Sequence, residues 1–595
     1  MFSPVWISLK TAFTATAITF FLGIAIAWWM TNYRGKARGL LDGILTAPLV
    51  LPPTVVGFLL LLALGKNGLV GRILDSIGVR VIFTWYATVI AAVVVSFPLM
   101  YKTSLSAFEQ TYKSNLIDCA RTLGADKTTI FWRIILPLAK PGLIAGTLLA
   151  FARALGEFGA TLILAGSIPG KTQTIPIAIF FAAESGAMDE ALVLVIILLA
   201  ISLGVAVAIN YWQNNRRWQR RQNTVTGRAI DRTRQQNRAK IRLEVDIQKQ
   251  LPEFLLDIAF TITKEQNPLG ILGVSGAGKS TLLKCIAGLE TPDRGRIVLN
   301  RRILFDSAKG IDLTPQERKV GLLFQDYALF PHLNVEENIA FGMSAKESKL
   351  WVKQEVARQL QQVNLSHMGK AIAYLLSGGE KQRVALARVL ASQPEITLLD
   401  EPFSALDTNV TQELIKLLQK RIDNYAGLTL YVTHNFISAY RLCPQLLIVD
   451  RGKAISFAKR QNLLNNPPNL TTAIITGYRN FSRVKKIAPH TIEAIDWQCT
   501  LKCDRLVADD IDRVAIRSSA ITFVKTNEGV NIFSAWLCNY LELPDRVVLY
   551  LKINSSVGNS EDYHLEVEVN TNKWLKLQNR DMYYIQLPRT KIIIF

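Results

Sequence analysis

ILGVSGAGKST, residues 271 to 281, decides how the chain is read. It spaces Gly273, Gly278, Lys279 and Ser280 as Gly-x4-Gly-Lys-Ser, with Ser275, Gly276 and Thr281 filling out the loop. An apolar run, Leu269–Leu272, precedes it and a helical pattern, Thr281–Leu289, follows. That strand–loop–helix context is what a phosphate-cradling loop requires. Glycines let successive backbone N–H groups curl around phosphate oxygens. Lys279 neutralises the β and γ oxygens, and Ser280 is a ligand for Mg²⁺. ATP and Mg²⁺ are therefore the expected cofactors.

Working outward, LLFQDYALFP places Gln325, LSGGEKQRVALARVL places Ser377, Gly378 and Gly379, and ITLLDEPFSALD places Asp400, Glu401 and Asp407. YVTHN then places His434. In this order and spacing the motifs resemble the ABC ATPase family, which implies an α/β P-loop domain over 243–476. The resemblance implies Asp400 in the Mg²⁺ shell with Ser280 and Gln325, and Glu401 as general base or orienter of the attacking water. It implies that His434 contacts the γ-phosphate and that Gln325 senses Mg²⁺ and water. Ser377–Gly379 begin a helix whose N–H groups suit a phosphate. Asp407 is a further candidate for nucleotide binding; in the family the signature faces the phosphate loop of the other subunit, so one copy of each motif implies a homodimer. The family also stacks adenine on an aromatic residue ahead of the loop. Leu251 stands near that place and Phe254 is the candidate, a core phenylalanine being the alternative.

The N-terminal third has another character. Half of the 595 residues are hydrophobic, and Lys plus Arg exceed Asp plus Glu by 68 − 47 = 21. Such a charge could serve nucleic acid, but beside long apolar runs it reads as basic loops next to a membrane, with lipid and not nucleic acid as partner. Thr11–Tyr33, Gly43–Gly65, Val81–Tyr101 and Ala191–Asn215 carry no charge and are long enough to span hydrocarbon at about 20 residues each. The stretch from Pro141 through FARALGEFGATLILAGSIPGKTQTIPIAIF, 151–180, reads as a fifth span interrupted by Arg153 and Glu157. Thr172–Ala183 is apolar but short, a re-entrant or broken helix. Arg34, Lys36 and Arg38, the loop Lys102–Lys140 and Arg216–Arg221 all fall inside if the N-terminus is outside. Arg153 and Glu157, four residues apart, are expected on one helix face, paired and facing the bundle interior as part of a gate.

DCARTLGADKTTIFWRIILPLAKPG, 118–142, sits in the inner loop. With Ala120, Gly124, Leu136 and Pro137 it resembles the coupling motif of ABC importer permeases, although Asp118 and Cys119 replace the usual Glu and Ala. A short helix with a glycine turn makes a rigid knob for a partner's groove. The all-α permease bundle is thus expected over 1–215. A basic linker follows over 216–242, where the run from Gln213 has ten basic residues against Asp231. Residues 480–595 alternate apolar and polar positions, as in HLEVEV and VVLYLKI, and suggest a small β-barrel-like domain. There DRVAIRSSAITFV resembles the accessory oxyanion-binding barrel of importer ATPases, and a structural role in dimerisation is the alternative. The six cysteines show no CxxC pair and read as reduced thiols.

LVLPPTVVGFLLLLALGKNG, 49–68, and RALGEFGATLILAGSIPGKTQTIP resemble the permease of bacterial molybdate importers. The resemblance implies a permease and ATPase fused end to end in the bacterial plasma membrane, with the ATPase cytoplasmic. It implies uptake of molybdate or tungstate from an extracytoplasmic molybdate-binding protein. Sulfate or thiosulfate import is the alternative, since those permeases share GEFGAT. An exporter or a regulatory membrane ATPase fits less well, because exporters lack the coupling loop and a dead scaffold would not keep Lys279, Glu401 and His434.

Overall fold

The computed structural model describes residues 2–214, 241–343, 347–404, 408–423, 425–555, 562–578, 580 and 582–595. The expected basic linker lies outside these residues as far as 240, and so does Asp407.

The N-terminal third is all helix. Among the described residues, Phe2–Asn32, Trp85–Tyr112 and Lys127–Leu155 are long and apolar enough to cross a membrane. Met188–Asn214 adds a 27-residue helix. Inside the bundle, Thr11 and Thr88 hydroxyls bond at 3.0 Å and the Trp85 indole donates to Thr11 at 3.0 Å, polar pairs that hold helix Phe2–Asn32 to helix Trp85–Lys113.

Three expectations are corrected here. The run Gly43–Gly65 is not one straight span but two helices, Arg38–Val50 and Pro53–Leu64, set at 115°. Its cause is Leu51-Pro52-Pro53: a residue before proline is pushed out of the helical region, and Leu51 is extended at ψ 140°. The segment Lys102–Lys140 is not mainly loop, since helix Trp85–Lys113 runs on into it and the short helix Leu116–Thr122 follows. Finally, the stretch with Arg153 and Glu157 is not an interrupted span. The helix ends at Leu155, Gly156 caps it, and a separate short helix, Gly159–Ala165, begins beyond. The apolar helix Ile175–Glu184 is 10 residues long, too short to span.

The second region is an α/β domain on an 11-stranded sheet. An antiparallel part, built on Arg242–Gln250 and Leu255–Thr263, leads into parallel strands ordered 445–450, 269–272, 428–433, 396–400 and 320–323. Those parallel strands are apolar runs such as LGIL and LTLYVT, buried on both faces as parallel sheets require. The order places the segments after Leu272, Leu323 and Thr433, and the end of Ile396–Asp400, at the carboxyl edge of neighbouring strands. In an open α/β sheet that edge is where ligands bind.

The C-terminal region is sheet-rich as expected, in the form of two five-stranded antiparallel sheets. They share one apolar core that includes the fully buried Trp497 and Trp574.

Candidate functional site

The loop after Leu272 owes its shape to its glycines. Gly276 and Gly278 sit at φ 80° and 95°, where a side chain is strained, and a Cβ on Gly273 would come within 2.2 Å of the Val449 carbonyl oxygen. The loop ends at helix Lys279–Ala287, whose first N–H groups point back into the curl. Ser275 and Gly276 are exposed at its crest, whereas Lys279 is 5 % exposed and donates from Nζ to the carbonyls of Gly273 (2.9 Å) and Val274 (2.7 Å). Burial pushes the Lys279 pKa down, while Glu401 and Asp400 act the other way. A buried ammonium held only by neutral carbonyls is prepared to trade them for phosphate oxygens. Thr281 is half-buried one residue beyond Ser280.

Strand Ile396–Asp400 delivers the acidic groups. Ser280 Oγ donates to Asp400 Oδ1 at 3.1 Å, although the two are 120 residues apart. Burial raises the Asp400 pKa and the Ser280 hydrogen bond lowers it. The hydroxyl and carboxylate together form an oxygen-donor corner that fits Mg²⁺. Glu401 sits at φ 42°, a left-handed conformation uncommon outside glycine, and its N–H donates to Val432 O at 3.0 Å. This turn aims the carboxylate along the sheet edge, where Glu401 Oε2 lies 3.1 Å from His434 Nδ1. The structure thus gathers Gly273–Thr281, Asp400, Glu401 and His434. Phe254 packs beside the same loop: a Cβ on Gly278 would be 3.4 Å from its ring.

Gln325 and the signature residues have no hydrogen bond to that cluster among the described residues. Gln325 is exposed just past Val320–Leu323. Ser377 caps helix Gly378–Ala391 in a reciprocal box: Ser377 N–H and Oγ each donate to Glu380 Oε2 at 2.8 Å, and Glu380 N–H donates back at 3.4 Å. Ser377 and Gly378 are exposed and Gly379 is half-buried, so the cap faces outward from this chain.

The membrane half touches the same sheet edge. Helix Leu116–Thr122, which holds Asp118 and Ala120, packs against the region of Val320–Leu323, with Ile117, Cys119 and Ala120 in one apolar cluster with Phe324 and Phe330. Gly124, at φ 89°, turns the chain after that helix. Asn115 Nδ2 donates to Asp326 Oδ2 at 3.1 Å and Gln316 Nε2 to Ala125 O at 2.9 Å. Leu136 and Pro137 open helix Leu136–Leu155, directly after a π-helical turn, Phe131–Ile135. Pro137 has no N–H to give the Arg133 carbonyl four residues back. That carbonyl bonds instead to His332 Nε2 at 2.7 Å. Burial pushes the His332 pKa down, and its hydrogen bond to the Arg133 carbonyl acts the other way. No local pattern marks Asn115, Gln316, Asp326 or His332 in the sequence. Each is a lone polar residue whose partner lies about two hundred positions away.

Arg153 and Glu157 meet at the end of their helix. Arg153 Nη1 donates to Glu157 Oε2 at 2.8 Å, and Glu157 Oε1 accepts the Ala160 N–H at 3.0 Å. The carboxylate therefore also anchors the next helix, a role that residue spacing did not reveal.

Residues 255–404 match the ABC transporter family, and residues 20–220 match the binding-protein-dependent transport system inner membrane component. The molybdenum import ATP-binding protein ModC of Mannheimia succiniciproducens is 40 % identical over 225 residues, 38 % of this chain and 62 % of that protein. The probable sulfate/thiosulfate import ATP-binding protein CysA of Chlorella vulgaris is 41 % identical over 207 residues, 35 % of this chain and 85 % of that protein. The sulfate/thiosulfate import ATP-binding protein CysA of Synechococcus elongatus is 41 % identical over 223 residues, 37 % of this chain and 63 % of that protein. The chain spans less than two thirds of the ModC relative and of the Synechococcus relative.

Proposed function

This chain belongs to the ABC transporter family, and from that premise we propose that it imports molybdate at the expense of ATP, supplying permease and ATPase in one polypeptide. It works in a bacterial plasma membrane as a homodimer, with the ATPase region in the cytoplasm, and receives its oxyanion from an extracytoplasmic binding protein. One observation carries the reading: the helix Leu116–Thr122 of the membrane half is seated beside Gln325, on the sheet edge that gathers Lys279, Asp400, Glu401 and His434.

The residues divide the work by chemistry. N–H groups of Gly276, Gly278, Lys279 and Ser280 bind the phosphates, and Lys279 exchanges its two carbonyl partners for phosphate oxygens. Ser280 and Asp400 would hold Mg²⁺, which when bound offsets negative charge on the β and γ oxygens. Glu401 orients a water and takes its proton, with His434 fixing one carboxylate oxygen and leaving the other for the water. The outward-facing Ser377–Gly379 cap, with Asp407, completes the site of the second copy. Closure of the two nucleotide regions pulls on Leu116–Thr122, and so on the helices around Arg153 and Glu157.

Support for molybdate is the wording of 49–68 and 153–176 together with the ModC relative; sulfate or thiosulfate is the second reading, favoured by the two CysA relatives at similar identity. The test is ATP hydrolysis by the chain in lipid vesicles, stimulated by its binding protein loaded with molybdate, tungstate or sulfate. Stimulation by the molybdate-loaded protein is expected. Stimulation by the sulfate-loaded protein alone overturns the choice of substrate and leaves the importer reading intact.

A further inference from the structure

The turn after Gln325 is held in an improbable shape. Tyr327 and Ala328 are consecutive non-glycine residues at φ 63° and 40°. Each is strained and persists only where surrounding contacts over-determine it. Two buried side chains, Arg388 and Asn338, supply those contacts. Arg388, on the helix that Ser377 caps, is 1 % exposed, and its guanidinium forks to Tyr327 O through Nη2 and to Ala328 O through Nη1, each at 2.8 Å. Its plane lies over the Phe330 ring at 5.1 Å, and Nη1 reaches Asn338 Oδ1 at 3.4 Å. Asn338, itself fully buried, accepts from Phe330 N–H at 2.9 Å and so fixes the far end of the turn. A charged group placed there without a carboxylate partner is expensive. Packing alone would be served more cheaply by a methionine.

The other side of the same turn belongs to the membrane half. Asp326 accepts from Asn115, and His332 bonds the Arg133 carbonyl. The segment 325–332 is thus gripped by the signature-bearing helix from one side and by the membrane half from the other.

We propose that Arg388 is the positioning residue that makes this segment a rigid link, so that movement of the signature-bearing helix on nucleotide binding carries Gln325 and the 116–137 segment together. The inference rests on the importer reading above and deepens it by naming the group that transmits the motion. Among the described residues Arg388 has no hydrogen bond to 273–281, Asp400 or Glu401. Without its fork the turn relaxes, the nucleotide site still closes, and the closure no longer reaches the membrane helices.

Hydrogen exchange of the full chain in lipid nanodiscs, with and without Mg-ATP and vanadate, tests this. In the unaltered protein, nucleotide slows exchange at 273–281, 377–380, 325–332 and 116–137. Arg388→Lys has one ammonium in place of the planar fork. It keeps the protection at 273–281 and 377–380 and loses about fivefold or more of it at 116–137. If Arg388→Lys does not fold, Arg388→Met carries the test, because methionine fills the same space with neither the fork nor a buried charge left unpaired. The same pattern is then expected. Protection in all four segments, or loss in all four, overturns the inference. Absence of nucleotide-dependent protection at 116–137 in the unaltered protein overturns the importer reading instead.

Discussion

Glu157 and Glu401 are the carboxylates at the centre of the two halves, and they are held in opposite ways. Both oxygens of Glu157 are committed, one to Arg153 and one to the Ala160 N–H, and the residue is 2 % exposed. Glu401 has one oxygen beside the exposed ring of His434, and its backbone is bent into a left-handed conformation. A satisfied charge is a fixture, because every lone pair withdrawn from it must be replaced. A half-satisfied charge on a strained turn keeps capacity for a partner yet to arrive. The same distinction separates Arg153, paired along its helix end, from Lys279, whose ammonium is parked on neutral carbonyls.

Substitution can break that contrast at several points. Glu401→Gln is expected to lower ATP hydrolysis by about 100-fold or more, the usual worth of a general base. Nucleotide binding and the unfolding midpoint stay unchanged. A marked loss of stability would mean that Glu401 is a fixture after all. Glu157→Gln should do the reverse. It keeps an oxygen for the Ala160 N–H but strands a half-buried Arg153, costing about 1–3 kcal/mol once partial exposure is allowed for. The measurement is thermal unfolding in detergent, and an unchanged midpoint would show that the pair is not holding the helix end. The smallest effect belongs to Glu380. The Ser377 backbone N–H, acting first, holds its carboxyl below the ordinary 4.5, and burial acts the other way. A depressed folded-state value means stability that is present above the unfolded value and lost as pH falls through the folded one. Unfolding followed from about pH 5 to pH 3 should therefore fall less steeply for Glu380→Gln than for the unaltered chain. Parallel acid limbs would mean that the cap does not depend on charge.

The two halves also differ in how much of them could be read in advance. In the nucleotide region, the chemistry-bearing residues follow directly on buried strands, so Leu269–Leu272 announces the loop after it and ITLLDE announces Asp400 and Glu401. Local sequence and local structure coincide there. The membrane half lacks that economy, since apolar side chains facing lipid and facing other helices look alike. Pro52-Pro53 was visible but the run around it remained apolar, and its length suggested one span where the chain bends by 115°. The tail showed its alternation without showing that its strands divide into two sheets. Contacts between halves were the least legible. Asn115 with Asp326 and Arg133 with His332 depend on two folded surfaces meeting, and no window of sequence contains both partners.

The widened turn Phe131–Ile135 has a consequence for how the chain counts residues. A π-helical turn holds one residue more than an α-helical one, so the helical faces before and after it stay in phase across an inserted link. Trp132, 62 % exposed, sits in that link. Removing it would close the turn to ordinary α-helix and leave Lys127–Ile130 and Leu136–Leu155 facing as they do now. Removing one residue from the middle of Leu136–Leu155 would instead swing Arg153 about the axis by roughly 100° relative to the docked segment. The distance in sequence between the docked segment and the charged helix end therefore carries one spare unit, and it is stored where the His332 contact lies.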